Sequence, residues 1–504
     1  MKLIIQFSAL RCFAFTFCLL ADCTLLHAAP PNILFIAIDD LNDCVGFLGG
    51  QPQALTPNMD KLAKKGVSFT NAHCPAPGCS PSRNALLFGV QPFSSGLYPF
   101  YDQNRLPKEV KTRYTSLPAF LKANGYCTFG AGKIHHRPDR ASTEWDESLN
   151  LGPRGEEAAG GDDEGGKDTQ SETRYDKSGI YRKVKNNYCP TLNPLEDHYD
   201  YINTTFGMQK LAESHGKPFF LAVGLHKPHL PFNAPRQFFD LYPSEIKPPR
   251  INPDDLNDVP PVGQALANHQ KVPNDVRRAY LASISWTDYN VGRLLDALDA
   301  SPHADNTIVV LWSDHGYHLG EKQHFRKMAL WDKTTRTPFI IWDRREKNAP
   351  EGRAVGEAVS LINIYRTLAE MTGLEAPKYL DGFSLVPQLK NPSTPITEPA
   401  ICTWGRGNYS VRDRDWNYIR YYDGTEELYD HTKDPDEWTN LAASLQHGEV
   451  KARLASNLPE KEAPLVREGR MGTEAKASAD DPLKPGKKKR QPKGSPGQPK
   501  AQTL

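Results

Sequence analysis

Three short, continuous apolar segments stand out along the chain, and each is followed at once by polar residues. They run from Asn32 to Ile38, from Phe219 to Leu225 and from Thr307 to Trp312. Uninterrupted apolar segments of this length are typical of central strands in a parallel sheet, because both faces of such a strand are buried. Ligands of open α/β sheets gather at the carboxyl ends of the strands. We therefore expect the polar clusters after these three strands to meet at one edge of the sheet.

Helical patterns lie between the predicted strands. They cover Ser116 to Asn124, Tyr199 to His215 and Val276 to Leu298. In the first of them Ser116 can cap the helix, and Pro118 suits its first turn. The alternation of strands and helices predicts an α/β sandwich with a large, mainly parallel central sheet. Between the helical patterns, the Gly-, Asp- and Glu-rich stretch from Gly152 to Asn187 predicts a long surface insertion near the mouth of the site.

The pattern changes near residue 385, which predicts a catalytic domain over 30–385 and a smaller one over 386–465. Ile401 to Trp404, Trp416 to Tyr422 and Glu427 to Asp430 are strand-like and suit a small antiparallel subdomain. Residues 466–504 are rich in Pro, Gly and Lys, and from Pro482 onward they include seven basic residues and no acidic ones. This composition cannot form a packed core and predicts a disordered, solvated tail. An anchor for an anionic polysaccharide or a membrane surface is the alternative.

The composition suits a large globular protein with an export signal. The 504 residues are 38% hydrophobic and carry a net charge of +1, enough for one large core and a smaller one, and we predict no nucleic-acid partner. Lys2 and Arg11 precede an apolar stretch from Cys12 to Leu20, and Ala28 and Ala29 follow, which predicts a signal peptide over 1–29 and a secreted or periplasmic protein. The apolar part is too short to span a bilayer, and no later stretch predicts a transmembrane segment. Asp22, directly before Cys23, argues against a lipoprotein anchor.

Two acidic clusters follow predicted strands. Asp39 and Asp40 come directly after the first strand, and Asp314 and His315 follow the third. Adjacent carboxylates are costly to hold together unless a positive charge compensates them, so the pair suits a metal ion. A solvated loop or helix cap is the alternative for the pair on its own.

Basic residues form a second set of candidates. Taken singly, each is typical of a surface charge, whereas together they could surround an anion and supply a proton donor to a leaving oxygen. The set comprises Arg83, Lys133 and His136, His226 with Lys227, and Lys327.

The run from Cys79 to Arg83, closed by Leu87 and Gly89, resembles the signature of the sulfatases. In that family the cysteine is converted to Cα-formylglycine by a dedicated maturation enzyme. The hydrated aldehyde attacks sulfur through one hydroxyl, and it later expels sulfate by collapsing back to the aldehyde. A free cysteine in a turn that opens a helix is the alternative. Phe88 and Val90 depart from the family pattern, beyond the part that is recognised for oxidation.

The resemblance extends over nearly the whole chain from Pro31 to about Leu441. The sequence is similar to type I sulfatases of the alkaline phosphatase superfamily, and most similar to the iduronate-2-sulfatase branch, which implies an alkaline-phosphatase-like sandwich. Six blocks carry the resemblance: Asp39-Asp40, Cys79 to Gly89, Gly132 to His136, Ala222 to Phe232, Ser313 to Gly316, and Lys327.

The resemblance also implies a metal ion, usually calcium. Its ligands would be Asp39, Asp40, Asp314 and His315, with an oxygen of the formylglycine made from Cys79. Calcium takes oxygen ligands, so His315 could instead donate a hydrogen bond to the sulfate.

The same resemblance implies roles for the basic residues. Arg83 would hold the diol, Lys133 would bridge diol and sulfate, and His136 would orient or deprotonate a diol hydroxyl. His226 and Lys327 would contact the sulfate or the bridging oxygen, and either one could be the acid that protonates the leaving group.

The resemblance predicts a sulfatase that acts on the ends of a sulfated saccharide, with 2-O-sulfated uronic acid as the leading substrate. Two alternatives remain: a phosphodiesterase or phosphonate hydrolase of the same superfamily, and a secreted binder of sulfated polysaccharide that has lost catalysis. Of nine cysteines, six lie beyond the predicted signal, and conversion of Cys79 would leave five, which allows at most two disulfide bridges.

Overall fold

A computed structural model describes residues 29–466, apart from residues 102, 104–105, 138–142, 150–187 and 193. Residues 1–28 of the predicted signal segment, the predicted insertion from Gly152 to Asn187, and residues 467–504 of the predicted tail lie outside the described residues.

Strands and helices alternate along the described chain. The strands are β1 Asn32–Asp39, β2 Val67–Phe69, β3 Ala72–His73, β4 Cys127–Gly132, β5 Glu147–Leu149, β6 Phe219–Pro228, β7 Thr307–Ser313, β8 His318–Leu319, β9 Phe325–Arg326, β10 Phe339–Asp343, β11 Arg353–Val355, β12 Val359–Ser360, β13 Ala400–Thr403, β14 Tyr409–Arg412, β15 Trp416–Arg420 and β16 Glu426–Asp430. The helices are α1 Pro57–Lys65, α2 Cys79–Phe88, α3 Pro92–Ser95, α4 Lys108–Arg113, α5 Leu117–Ala123, α6 Tyr199–Ala212, α7 Arg236–Phe239, α8 Pro261–Gln264, α9 Asn274–Asp299, α10 Asp332–Thr335, α11 Asn363–Met371, α12 Val386–Lys390 and α13 Gly448–Ala455.

The main sheet has eight strands in the order β11-β2-β10-β7-β1-β6-β4-β5. The central strands β7, β1, β6, β4 and β5 are all parallel, and β10 pairs antiparallel with β7 and with β2. The three strands predicted from apolar runs are β1, β6 and β7, and they are direct neighbours with β1 in the middle. Their parallel arrangement brings their carboxyl ends to the same edge, as the sequence predicted.

Both faces of the sheet are covered, which explains the continuous apolar runs. The odd-numbered side chains from Ile33 to Ala37 face one hydrophobic core, which also holds residues of α2, α5 and α11. The even-numbered ones from Leu34 to Ile38 face a second core, with residues of α1, α6 and α9. A central strand between two helical layers has no polar face, so it lacks the alternation of an exposed strand. The predicted α/β sandwich is confirmed.

The predicted helices are present with slightly different ends. The pattern from Ser116 to Asn124 is α5, and the Ser116 side chain caps it by accepting a hydrogen bond from the backbone N–H of Ala119. The pattern from Tyr199 to His215 is α6, which ends three residues earlier, and that from Val276 to Leu298 is α9, which begins two residues earlier.

The C-terminal region forms a separate antiparallel sheet in the order β13-β14-β15-β16. Three of these strands correspond to the predicted segments, and β14 was not predicted. The predicted small antiparallel subdomain is therefore confirmed, while the exact boundary at residue 385 stays a prediction.

No helix within the described ranges is long and apolar enough to cross a bilayer. All six cysteines beyond residue 28 are free thiols. Among them, the sulfurs of Cys74 and Cys402 lie 3.8 Å apart.

Candidate active site

The ends of the central strands build the floor of a polar site. Asp39 is the last residue of β1, Asp314 follows β7, and His226 lies near the end of β6. The backbone turns sharply after β1, since Asp40 has a φ of 60°, a left-handed conformation that is uncommon for a residue with a side chain. The backbone N–H of Asp40 donates to Oδ1 of Asp314 at 3.1 Å, so the two acidic clusters meet.

Helix α2 brings Cys79 to this floor. Cys79 is the first residue of the helix and is fully buried. Its sulfur lies 3.0 Å from Nζ of Lys327, 3.3 Å from Nε2 of His315 and 3.6 Å from Oδ1 of Asp40. Burial and the negative charge of Asp39 raise the pKa of the Cys79 thiol well above its usual value, despite the nearby lysines. The unmodified side chain is therefore a protonated thiol.

Arg83 fixes the helix against the sheet from one turn further on. Its guanidinium is fully buried and donates from Nε to Oδ2 of Asp314 at 2.8 Å. It also donates to the backbone carbonyls of Lys133, at 2.5 Å, and of Ile134 and Ile38. Burial alone would lower the pKa of Arg83, but the carboxylates of Asp314 and Asp39 raise it, so the guanidinium is charged.

Basic side chains surround the first carboxylate, Asp39. Nζ of Lys133 lies 2.6 Å from Oδ2, Nη2 of Arg83 lies 3.5 Å from Oδ1, and Nδ1 of His226 lies 3.7 Å from Oδ2. Burial would raise the pKa of Asp39, but Lys133, His229 and Arg83 outweigh it, and the pKa is well below its usual value.

The second carboxylate, Asp40, has its own basic neighbours. Nζ of Lys327 lies 3.1 Å from Oδ1, Nε2 of His315 lies 3.2 Å from Oδ1, and Nε2 of His229 lies 3.8 Å from Oδ2. Burial would raise the pKa of Asp40, whereas His229 and Lys327 bring it below the usual value. Both carboxylates are therefore ionised.

The arrangement fits a metal ion. One ligand atom from each of Asp39, Asp40, Cys79 and His315 lies within 4.8 Å of the others. Oδ1 of Asp39 is buried and has no hydrogen-bond partner among the described residues, which leaves an oxygen available to a cation. Asp314 borders this group, and its Oδ1 accepts the backbone N–H of both Asp40 and His315. An ionised, buried acidic pair of this kind is typical of a site for a hard divalent cation.

Nine of the ten site residues predicted from the sequence contact one another directly: Asp39, Asp40, Cys79, Arg83, Lys133, His226, Asp314, His315 and Lys327. The tenth, His136, is also buried. It lies on the loop after β4 and packs its ring edge against Phe100, with the centroids 5.4 Å apart. Phe100 in turn contacts Gly78, the residue before Cys79.

Two further residues were missed by the sequence analysis. His229 is buried, its ring centroid lies 4.7 Å from that of His226, and its Nδ1 lies 2.7 Å from the carbonyl oxygen of Leu230. If Nδ1–H donates a hydrogen bond to that carbonyl, the other ring nitrogen, Nε2, is the one that faces Asp40. The sequence did contain a sign of this role, because His229 is the second histidine of the block from Ala222 to Phe232, which also contains His226.

Asp200, near the start of α6, is the second missed residue. Its two carboxylate oxygens accept the backbone N–H groups of His226 and Lys227 at 2.8 and 2.9 Å, so it holds the end of β6. Burial raises the pKa of Asp200 to about 6.

His226 itself is neutral, since burial, His229 and Lys133 lower its pKa well below the usual value.

Comparison with known proteins gives a consistent result. The family model described as Sulfatase matches residues 31–374, and the model for the C-terminal region of N-sulphoglucosamine sulphohydrolase matches residues 320–463. A sulfatase from Formosa agariphila is 37% identical over 453 residues, covering 86% of this chain and 87% of the relative. Human iduronate 2-sulfatase is 31% identical over 402 residues, covering 69% of this chain and 70% of the relative.

Solved structures agree on the fold. A phosphonate monoester hydrolase from Silicibacter pomeroyi superimposes with a TM-score of 0.69 at 21% identity, covering 84% of this chain and 94% of that one. The expectation of an alkaline-phosphatase-like sandwich is confirmed.

Proposed function

Since the chain belongs to the sulfatase family and is a sulfuric ester hydrolase, we propose that it desulfates a saccharide with a formylglycine made from Cys79. The observation that supports this most is the surroundings of the Cys79 sulfur. Lys327, His315 and Asp40 all approach it within 3.6 Å, so a nucleophile at this position would lie between a cation and the acidic pair. The formylglycine would supply a hydroxyl nucleophile in its hydrated form and a route for sulfate release by elimination.

The metal ion is proposed to be calcium, held by Asp39, Asp40, Asp314 and His315 together with the modified residue 79. The bound ion would supply positive charge that offsets the acidic pair, so that an anionic sulfate can approach it. Arg83 would keep Asp314 in place for this purpose, because it binds the other carboxylate oxygen.

The basic residues would bind the sulfate and orient it for attack at sulfur. Lys133 and Lys327 have ammonium groups next to the two carboxylates, so each can turn toward a sulfate oxygen without leaving the site. His226 is neutral and can donate one hydrogen bond, and His229 lies beside it. Lys327 is the cation nearest to the Cys79 sulfur among these groups, and we propose it as the proton donor to the leaving oxygen. His136, buried next to Phe100, would orient or deprotonate a diol hydroxyl.

The substrate is proposed to be a saccharide that carries a 2-O-sulfated uronic acid at its end. The support is the similarity to human iduronate 2-sulfatase, at 31% identity. We also propose that the protein is exported to the periplasm or the exterior, where such polysaccharides are found, after maturation by a formylglycine-generating enzyme.

A panel of defined disaccharides would test the substrate. We expect desulfation of a disaccharide with a terminal 2-O-sulfated uronic acid, and at least tenfold lower kcat/KM for one sulfated only on the amino sugar. Cys79→Ala is the control for contaminating activity. Action only on internal sulfates of long polymers would contradict the proposal. Faster turnover of phosphate or phosphonate monoesters than of any sulfate ester would favour the phosphonate hydrolase alternative.

A further inference from the structure

The loop that carries Lys327 has a strained backbone. Between Gly320 and Met328, four residues with side chains have positive φ: 54° at Lys322, 49° at Gln323, 87° at Arg326 and 73° at Met328. Such conformations are uncommon for residues other than glycine and persist only where the surroundings enforce them. The position of Lys327 therefore depends on contacts that hold this loop.

Two contacts hold the loop on the side of the active site. Nε2 of His324 lies 2.8 Å from the carbonyl oxygen of Lys327, and the backbone N–H of Met328 donates to the carbonyl of Pro77 at 2.9 Å. The second bond connects the loop to the segment that leads into Cys79. The middle of the loop is held as well, because β8 pairs with β9 and the Asn268 side chain bonds to the backbone N–H and the carbonyl of Phe325.

Lys322 contributes to holding the beginning of the loop, through Asp255 and through the C-terminal region. Its side chain is 2% exposed, and Nζ lies 2.7 Å from Oδ1 of Asp255. The same ammonium donates to the backbone carbonyl of Glu437 and lies 4.7 Å from the ring centroid of Tyr429, which belongs to β16. A buried ammonium with this many partners is strongly fixed, because each partner would be left unsatisfied if it moved.

We propose that Lys322 is a positioning residue for Lys327, so that contacts remote from the sulfate site help to set its geometry. This inference rests on the proposed role of Lys327 in contacting the reacting groups. Lys322 and Lys327 are five residues apart on this loop, and residues with positive φ lie next to both of them. Loss of the Lys322 anchor allows the loop to relax, which moves the Lys327 ammonium away from the Cys79 sulfur.

Misplacement of a catalytic cation lowers the rate of the chemical step more than substrate affinity. We therefore expect Lys322→Met to lower kcat by roughly 10- to 100-fold and to change KM by less than about threefold. Because that variant leaves Asp255 buried without its cation, the double variant Lys322→Met/Asp255→Asn is used beside it. The double variant removes both charges of the pair and keeps the side-chain volumes.

Arg412→Met is the matched control. Arg412 is a buried cation on β14, paired with Asp332 at 2.9 Å and with Glu437 at 3.4 Å, so its loss disturbs the same C-terminal region. A purely structural effect lowers the melting temperature in all three variants and leaves kcat per folded molecule unchanged. We expect the control to keep kcat within about twofold, at a temperature where every variant is folded.

A double-mutant cycle with Lys327→Ala completes the experiment, with a saccharide sulfate as substrate, because its alkoxide leaving group needs a proton donor. If Lys322 acts through Lys327, Lys322→Met/Asp255→Asn has no further effect on kcat in the Lys327→Ala background. An equal loss of kcat in both backgrounds, or an unchanged kcat in both Lys322 variants, would overturn the inference. An unchanged kcat in Lys327→Ala itself would instead refute the proposed role of Lys327.

Discussion

Arg83 on helix α2 donates from Nε to Oδ2 of Asp314 at 2.8 Å, and both side chains are fully buried. The pair connects the helix that begins at Cys79 to the end of the central strand β7. Oδ1 of the same Asp314 accepts the backbone N–H of Asp40. One carboxylate therefore connects helix α2, which begins at Cys79, to the acidic pair Asp39 and Asp40. The geometry of the site thus depends on an ion pair from which water is excluded, so water cannot take the place of either partner.

The first prediction concerns this ion pair. Arg83→Met leaves Asp314 buried without its cation, and loss of one partner of a buried pair costs about 3–5 kcal/mol of unfolding free energy. We expect a comparable loss in chemical denaturation and no measurable sulfatase activity. Arg83→Lys should rescue neither property, since an ammonium cannot satisfy both Asp314 and the carbonyls that the guanidinium binds.

Arg453→Met provides the control for the first prediction. Arg453 pairs with Asp413 at 2.6 Å, but its side chain is 55% exposed, and exposed pairs contribute about 1 kcal/mol or less. Equal destabilisation by the two substitutions would contradict the account of Arg83 as a buried anchor.

The second prediction concerns the metal ion. Calcium should raise the free energy of unfolding, by about 2.7 kcal/mol at a concentration 100 times its dissociation constant. Asp39→Asn removes a charged ligand, so the variant should lose this stabilisation and its activity together. Asp305→Asn, an exposed acid paired with Lys347, should retain both. Full turnover after rigorous chelation would refute the metal site.

The third prediction concerns stability at acid pH. Glu144 is mostly buried beside His135, with Nε2 and Oε2 3.0 Å apart. Burial alone would raise its pKa, but His135 and hydrogen bonds from Ser116 and Gln103 lower the pKa to about 2. A carboxyl whose folded pKa lies below its unfolded value stabilises the protein above the unfolded pKa. That stabilisation, about 3 kcal/mol, is lost as the pH falls from 4.5 to about 2.

Glu144→Gln should therefore flatten the dependence of unfolding free energy on pH between about 4.5 and 2. Glu398 is exposed and serves as the control position, so Glu398→Gln should keep the slope of the wild type. An identical slope for wild type and Glu144→Gln would show that the carboxyl has an ordinary pKa.

The sequence predicted the floor of the site because local patterns determine it. Strands β1, β6 and β7 have no polar face, and the residues that follow them must lie at one sheet edge. Strand β4, which precedes Lys133, was not predicted, since its segment contains two glycines and has weak strand character. For β14 the segment is only four residues long, and alternation over so short a stretch is a weak strand signal.

Long-range contacts were beyond the sequence analysis. The capture of two backbone N–H groups by Asp200, and the anchoring of Lys322 by Asp255, join residues that are 26 to 67 positions apart. The spacing of hydrophobic residues in the sequence does not indicate such contacts, because they depend on how separate layers of the fold pack against each other. His229 is a different case, because the motif that contains it could be recognised in the sequence. The structure was needed only to show that His229 lies at the site as well as His226.

The fourth prediction concerns Cys79 itself. A serine at this position can accept sulfate from the substrate, but it lacks the second geminal hydroxyl, which loses its proton and becomes the carbonyl as the C–O bond to the sulfate breaks. If maturation in the host is specific for cysteine, Cys79→Ser should stall after one turnover as a covalent serine sulfate. Cys79→Ala should be inert. Sustained turnover by the serine variant would contradict the two-step mechanism.

The most direct measurement is the mass of the peptide that spans Cys79, taken from active protein produced in its native host. We expect residue 79 to be formylglycine or its hydrate, and the specific activity of different preparations to rise in proportion to the modified fraction. An unmodified thiol at residue 79 in a preparation that turns over a sulfate ester would contradict this expectation.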